Sequence, residues 1–141
     1  MKILDDLGKI ALVTLSYMNH KIKIKNAIIS VFNKDGLNEI IKKLAEFNIE
    51  LYSTGGTENF IKSLNVNVNK IEDLTSYPSI LGGRVKTLHP NVFGGILSRR
   101  GNDEDKQQLE SYNIPEFDLV IVDLYPFEET VINNLSHSEI I

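Results

Sequence analysis

The sequence predicts one α/β domain built on a mainly parallel sheet, a three-layer α/β/α arrangement. Short apolar, β-rich runs at Asn26–Phe32, Ile49–Ser53 and Asp118–Val122 alternate with segments whose apolar residues recur at helical spacing. The chain is 141 residues long, one domain's worth. At this size it buries roughly two-thirds of its unfolded surface and forms a core without covalent staples. It has none to use, because there are no cysteines. Disulfides and thiolate metal sites are therefore excluded, and the composition suits a reducing, cytoplasmic setting.

The first 22 residues read as an extension, with the domain proper over residues 23–141. Ile10 to Met18 is fairly apolar, but Asp5 and Asp6 precede it and Asn19-His20-Lys21 follow. A secretory signal carries a basic leader and a small-residue cleavage site, so an amphipathic helical extension or a start set too far upstream fits better. No run approaches the ~18 uninterrupted apolar residues of a membrane span. A net charge of −4 argues against a generic nucleic-acid binder and against a polybasic membrane protein.

Asn26–Phe32 predicts a buried parallel strand. The loop Asn33-Lys34-Asp35-Gly36 follows it, and Leu37, Ile40, Ile41, Leu44 and Phe47 then predict an amphipathic helix. Ile49–Ser53 predicts a second strand, broken by Thr54-Gly55-Gly56-Thr57. Phe60, Ile61 and Leu64 resume the helical period, and the alternation Val66-Asn67-Val68 predicts a short third strand. Leu74 to Asn102 contains no acidic residue but carries Arg84, Lys86, Arg99 and Arg100, with His89 and glycines at 82, 83, 94, 95 and 101. Regular order returns with a charged helix over Asp103–Tyr112 and a buried strand over Asp118–Val122. Tyr125-Pro126-Phe127 closes that strand, and a further helix starts near Glu128.

In open α/β sheets ligands bind in the loops at the carboxyl ends of the strands, and three such places hold unusual residues. Lys34 lies just past one strand end. In Thr54-Gly55-Gly56-Thr57 the glycines let backbone N–H groups approach an anion at a helix N-terminus, although a threonine-capped Gly-Gly turn is also a common structural solution. Arg84 and Lys86 are two apart, so in an extended segment they face one side, and no carboxylate lies near them in sequence. The segment reads equally as a solvated basic loop or as a binder of an anion. His89 either hydrogen-bonds its loop or serves as a general acid or base. Tyr125 directly follows a buried strand, so its hydroxyl either reaches the same edge or packs in a Tyr-Pro-Phe turn, and Asp123 at that strand end either orients a substrate amide or a lysine or caps the following helix. There is no metal-ligand spacing, nucleophile elbow or P-loop.

Five segments occur in order: Ser-Val-Phe-Asn-Lys-Asp-Gly (30–36), Ser-Thr-Gly-Gly-Thr (53–57), Leu-Gly-Gly-Arg-Val-Lys-Thr-Leu-His-Pro (81–90), Gly-Gly-Ile-Leu (94–97) and Asp-Leu-Tyr-Pro-Phe-Glu-Glu-Thr (123–130). Together, from about Lys23 to about Val131, they resemble the N-terminal IMP cyclohydrolase domains of the PurH family of purine-biosynthesis proteins. The resemblance implies a methylglyoxal-synthase-like, Rossmann-like fold and closure of 5-formamidoimidazole-4-carboxamide ribotide (FAICAR) to inosine monophosphate (IMP) with loss of water. It implies that Phe32, Asn33 and Lys34 line a nucleotide site and that Thr54, Gly55, Gly56 and Thr57 surround the phosphate. Arg84 and Lys86, with Thr87 beside them, would face the reacting groups. Val122 and Asp123 would border the base, and Tyr125 would be catalytic together with Lys86 and Arg84. No metal or cofactor is implied, and the family pattern is a homodimer.

The sequence departs from that pattern at Phe93, where many relatives have histidine, and at Asp123, where many have asparagine. The Asp-Ile-Gly-Gly and Ala-Ala-Lys-Asn motifs with which the family continues are absent from these residues, as is the transformylase domain, so the chain reads as a fragment. Two rivals share the fold. One is a methylglyoxal synthase acting on dihydroxyacetone phosphate, opposed by the motifs at 84–90 and 125–127. The other is a non-catalytic nucleotide-binding regulatory module.

Overall fold

The computed structural model describes residues 10–13, 22–83 and 85–124. Its elements are β1 (Ile10–Val13), β2 (Asn26–Ser30), α1 (Leu37–Glu46), β3 (Glu50–Ser53), α2 (Gly55–Ser63), β4 (Asn69–Lys70), α3 (Ile71–Thr75), α4 (Pro90–Leu97), α5 (Asp103–Ser111) and β5 (Leu119–Asp123). The five strands form one sheet in the order β1-β5-β2-β3-β4. β5, β2, β3 and β4 run parallel, and β1 pairs antiparallel to β5 at the edge.

Side-chain alternation along the strands splits the core into two layers, one on each face of the sheet. Ala27, Ile29, Val31, Leu51, Leu119 and Ile121 pack against Leu37, Ile41 and Leu44 of α1 and Ile61 of α2. Ile28, Tyr52 and Val120 point the other way, towards Ile71 of α3, Val92 of α4 and Phe117. The Tyr52 and Phe117 rings meet edge to face, 5.2 Å apart at 82°. The three-layer α/β/α expectation is met.

β5 is fastened to β2 at both ends by a carboxylate. At the amino end Asp118 accepts the N–H groups of Lys25 (2.7 Å) and Asn26 (3.1 Å) and is held in turn by Arg100 (2.7 Å). At the carboxyl end Asp123 does the same for the residues that follow β2, as described below. The chain leaves β2 for β3 on one side while β5 lies on the other, so the C-terminal ends of β2 and β5 bound the topological switch point of the sheet.

Three expectations need correction. Ile10–Val13 is a strand rather than part of a helical extension, because its backbone satisfies the otherwise open edge of β5. The third strand falls at Asn69–Lys70 instead of Val66–Val68, and Val66 and Val68 pack as partly buried apolar residues against the core. The basic, Gly-rich segment is not irregular throughout, since it contains α4. Pro90 starts α4 at a position where its missing N–H costs nothing, and the Nδ1 of His89 accepts the Asn91 N–H (3.1 Å) as the cap. Gly95 lets α4 press on the chain ahead of β5. A Cβ there would collide with the Pro115 carbonyl and lie 2.9 Å from the Phe117 ring. The helix expected from Glu128 onwards lies outside the described residues.

Candidate functional site

The sequence-predicted residues that the structure describes converge at the carboxyl ends of β5, β2 and β3. β3 is followed by Thr54, whose extended backbone (φ −149°, ψ 154°) caps α2. Gly55 opens the helix with φ +55°, a left-handed conformation that suits glycine. The first N–H groups of a helix have no intrahelical acceptor, so those of the Gly55-Gly56-Thr57 turn are presented at the positive end of the α2 dipole.

Two lysines lean over this turn. A Cβ placed on Gly55 would stand 2.8 Å from Lys86 Nζ, and one on Gly56 would stand 3.9 Å from Lys34 Nζ. Lys86 arrives from the far side, after a left-handed turn in which Leu81, Gly82 and Gly83 have φ of 51°, 67° and 80°. Its ammonium also lies 3.1 Å from where a Cβ on Gly83 would be. It makes no hydrogen bond or ion pair among the described residues. Two ammonium groups at a helix N-terminus repel each other and the dipole, so an anion between them would relieve all three interactions.

The threonines do less than their sequence motif suggests. Thr57, 3% exposed, donates its hydroxyl proton to the Val31 carbonyl (2.9 Å) and accepts the Val31 N–H (3.2 Å), tying α2 to the end of β2. Thr54 donates to Glu72 Oε1 at 2.6 Å. Both hydroxyl protons are thus committed within the protein, and the donors left facing the turn are backbone N–H groups and lysines. Glu72, in the first turn of α3, was not singled out from sequence. Its other oxygen is buried with no partner among the described residues. Only the folded position of α3 reveals this, since Glu72 lies in an ordinary polar context.

On the β2–α1 loop, Phe32 is 57% exposed. The Asn33 side chain accepts the Asp35 N–H (2.9 Å), fixing the turn into α1. Lys34 Nζ donates to the carbonyls of Val31 (2.7 Å) and Phe32 (2.8 Å). The Asp123 carboxylate accepts from the N–H of Phe32 (2.6 Å) and of Asn33 (2.7 Å). Val122 pairs with Ser30 beside this junction, and Thr87 is half-buried in the turn that carries Lys86. His89 is occupied as the α4 cap. Arg84 and Tyr125 lie outside the described residues, as do His20 and His137. Among the described residues no group of three or more His, Asp or Glu side chains is placed to hold a metal ion, and no helix is long and apolar enough to cross a membrane.

Comparison with known proteins agrees with this arrangement. Residues 36–141 match the family described as the MGS-like domain. The chain is 60% identical over 124 residues to the bifunctional purine biosynthesis protein PurH of Bacteroides thetaiotaomicron, covering 88% of this chain and 24% of that protein. It is 47% identical over 118 residues to PurH of Caldicellulosiruptor saccharolyticus (83% and 23%) and 49% over 110 residues to PurH of Staphylococcus aureus (78% and 22%). The chain thus spans about a quarter of the length of these relatives, in their N-terminal region. A crystal structure of ForH superposes with a TM-score of 0.65 at 33% identity, over 73% of this chain and 54% of that one. The chain therefore belongs to the MGS-like domain family, in the form that bifunctional PurH proteins carry.

Proposed function

We propose that the chain is an IMP cyclohydrolase domain, closing FAICAR to IMP as the final ring closure of purine synthesis. The observation that carries this reading is the Gly55-Gly56 turn at the N-terminus of α2, with the Lys34 ammonium beside it and Lys86 reaching its edge from the opposite loop. That arrangement suits the phosphate of a nucleotide, and the similarity to PurH proteins supports a purine ribotide as its bearer.

The chemistry asks mainly for positioning. The carboxamide nitrogen attacks the formyl carbon of the same molecule, so holding the two groups in contact supplies much of the acceleration. In our reading Lys86, with Tyr125, stabilises the oxygen as it gains charge and protonates it as it departs as water, while Arg84 and Thr87 orient the reacting groups. Thr54, Gly55, Gly56, Thr57 and Lys34 form the phosphate end, and Phe32, Asn33, Val122 and Asp123 the side nearest the base. No redox step or group carrier enters this reaction. We further propose a cytoplasmic homodimer, in which a second copy covers the exposed apolar side chains Leu88, Phe93 and Leu97.

Calorimetric titration with IMP and with dihydroxyacetone phosphate tests the reading, together with FAICAR turnover. We expect saturable binding of IMP alone. Binding of dihydroxyacetone phosphate instead would favour a methylglyoxal synthase. Binding of IMP in a full-length protein that does not convert FAICAR would favour a nucleotide-sensing module.

A further inference from the structure

Lys34 and Asp123 carry opposite charges yet are joined through backbone rather than directly. Two consecutive peptide units lie between them. The unit linking Val31 and Phe32 offers its carbonyl to Lys34 Nζ (2.7 Å) and its N–H to Asp123 Oδ1 (2.6 Å). The next unit, linking Phe32 and Asn33, offers its carbonyl to the same ammonium (2.8 Å) and its N–H to Asp123 Oδ2 (2.7 Å). Each peptide dipole is therefore aligned with its negative end on a cation and its positive end on an anion. Such charge-assisted bonds are roughly twice as strong as neutral ones. A hydrogen bond at one end of a peptide also polarises the group at the other, so the four bonds reinforce one another.

We propose that Asp123 is a positioning residue for Lys34, an assignment that rests on reading the α2 N-terminus as a phosphate site. A lysine side chain is a point charge on a flexible stem. The two carbonyls take two of its three donors and leave the third for a ligand at Gly56. Asp123 sharpens those carbonyls as acceptors and holds the loop that carries them against the end of β5. Aspartate is the side chain this clamp needs. An asparagine is neutral and has a single oxygen to share between the two N–H groups, so it holds both peptide units more weakly.

The assignment differs from one in which Asp123 touches the base, and a double-mutant cycle separates the two. IMP affinity is measured by calorimetry for the wild-type chain, Asp123→Asn, Lys34→Ala and the double variant. Asp123→Asn is expected to weaken IMP binding roughly tenfold, but less than about twofold once Lys34 is alanine. An equal loss in both backgrounds would mean direct contact and overturn the proposal. Nuclear magnetic resonance of the ligand-free chain gives a readout independent of the nucleotide. Asp123→Asn should move the Lys34 Cε–H signals while those of Lys86 stay in place, and unmoved Lys34 signals would overturn the proposal. In the wild-type chain itself, the amide protons of Phe32 and Asn33 should exchange slowly, and fast exchange would also overturn it. If the wild-type chain bound no IMP, the nucleotide reading would fail while the resonance measurements still decided whether Asp123 governs Lys34.

Discussion

The ammonium of Lys86 occupies the space that a side chain on Gly55 would need: a Cβ there would lie 2.8 Å from Nζ. Gly55 also has φ +55°, a left-handed conformation that costs an L-residue roughly 1–2 kcal/mol. Gly55→Ala therefore combines backbone strain with displacement of Lys86. We expect it to lower stability by about that amount and to weaken IMP binding by at least as large a factor as Lys86→Ala. A denaturant titration and a calorimetric titration check the two parts.

Lys86→Ala tests the chemistry directly. Lys86 has no hydrogen-bond or ion-pair partner among the described residues and is repelled by Lys34 and the α2 dipole, so its loss should not lower the unfolding midpoint. In a full-length protein carrying this domain we expect FAICAR closure to fall by about 10²–10³-fold, as when a donor to a developing oxyanion is removed. Unchanged turnover would remove Lys86 from the mechanism.

Thr57 holds both the N–H and the carbonyl of Val31, in a buried setting. Thr57→Val keeps the shape but strips the hydroxyl, leaving two backbone groups without their partner. The expected loss is about 1–3 kcal/mol, read by urea unfolding, with weaker IMP binding because α2 is no longer fixed against the end of β2. Thr57→Ser should restore both. Weaker binding with full stability would instead mean that the hydroxyl serves the ligand.

Much of this architecture could be read from local pattern. The buried run at Ala27–Ile29, the helical spacing of Leu37, Ile41 and Leu44, and the glycines after Ser53 each reflect physics within a few residues. α4 could not be read that way. Pro90, Gly94 and Gly95 are breakers by propensity, and the helix forms because His89 caps it and Gly95 admits the Pro115–Phe117 segment. The site shows the same division. Lys34, Lys86 and the Gly55-Gly56 turn could be named by residue type. The choice among the roles open to Asp123 could not be made, and Glu72 was not singled out, because one depends on β5 lying beside β2 and the other on where α3 places a carboxylate against Thr54.

Gly95→Ala puts the first part of that argument at risk. The added methyl would collide with the Pro115 carbonyl, which is backbone and cannot rotate away, and would crowd the Phe117 ring. The Phe117 N–H to Gly95 carbonyl bond (2.9 Å) would stretch as α4 is pushed off. We expect a loss of about 1–3 kcal/mol, the usual cost of overpacking. Gly101→Ala is the contrasting case, since Gly101, unlike Gly95, has a positive φ (+80°) and a Cβ there would meet nothing within 4 Å. Its cost should be confined to backbone strain, whereas Gly95→Ala, in a helix where alanine is otherwise preferred, should lose stability through the clash alone, and a Gly95→Ala variant as stable as the wild-type chain would refute the packing argument.

The acid limb of stability should report on the join between α4 and α5. Asp105 takes the Arg99 guanidinium in two bonds (Nε at 3.0 Å, Nη2 at 2.7 Å) and the Arg99 backbone N–H at 2.7 Å. These bonds to Arg99, side chain first and backbone second, hold the carboxyl down from 3.8 to about 2. A carboxyl depressed in the folded state adds stability that is complete above its unfolded value and disappears as pH falls through its folded value. The difference in urea midpoint between the wild-type chain and Asp105→Asn should therefore be constant above about pH 5, narrow as pH falls through 3.8 and about 2, and vanish near about pH 1. The Arg99 guanidinium is exposed to solvent, so added salt should shrink the same difference. A gap between wild type and variant that survived well below pH 2 would mean that Asp105 does not act through its charge.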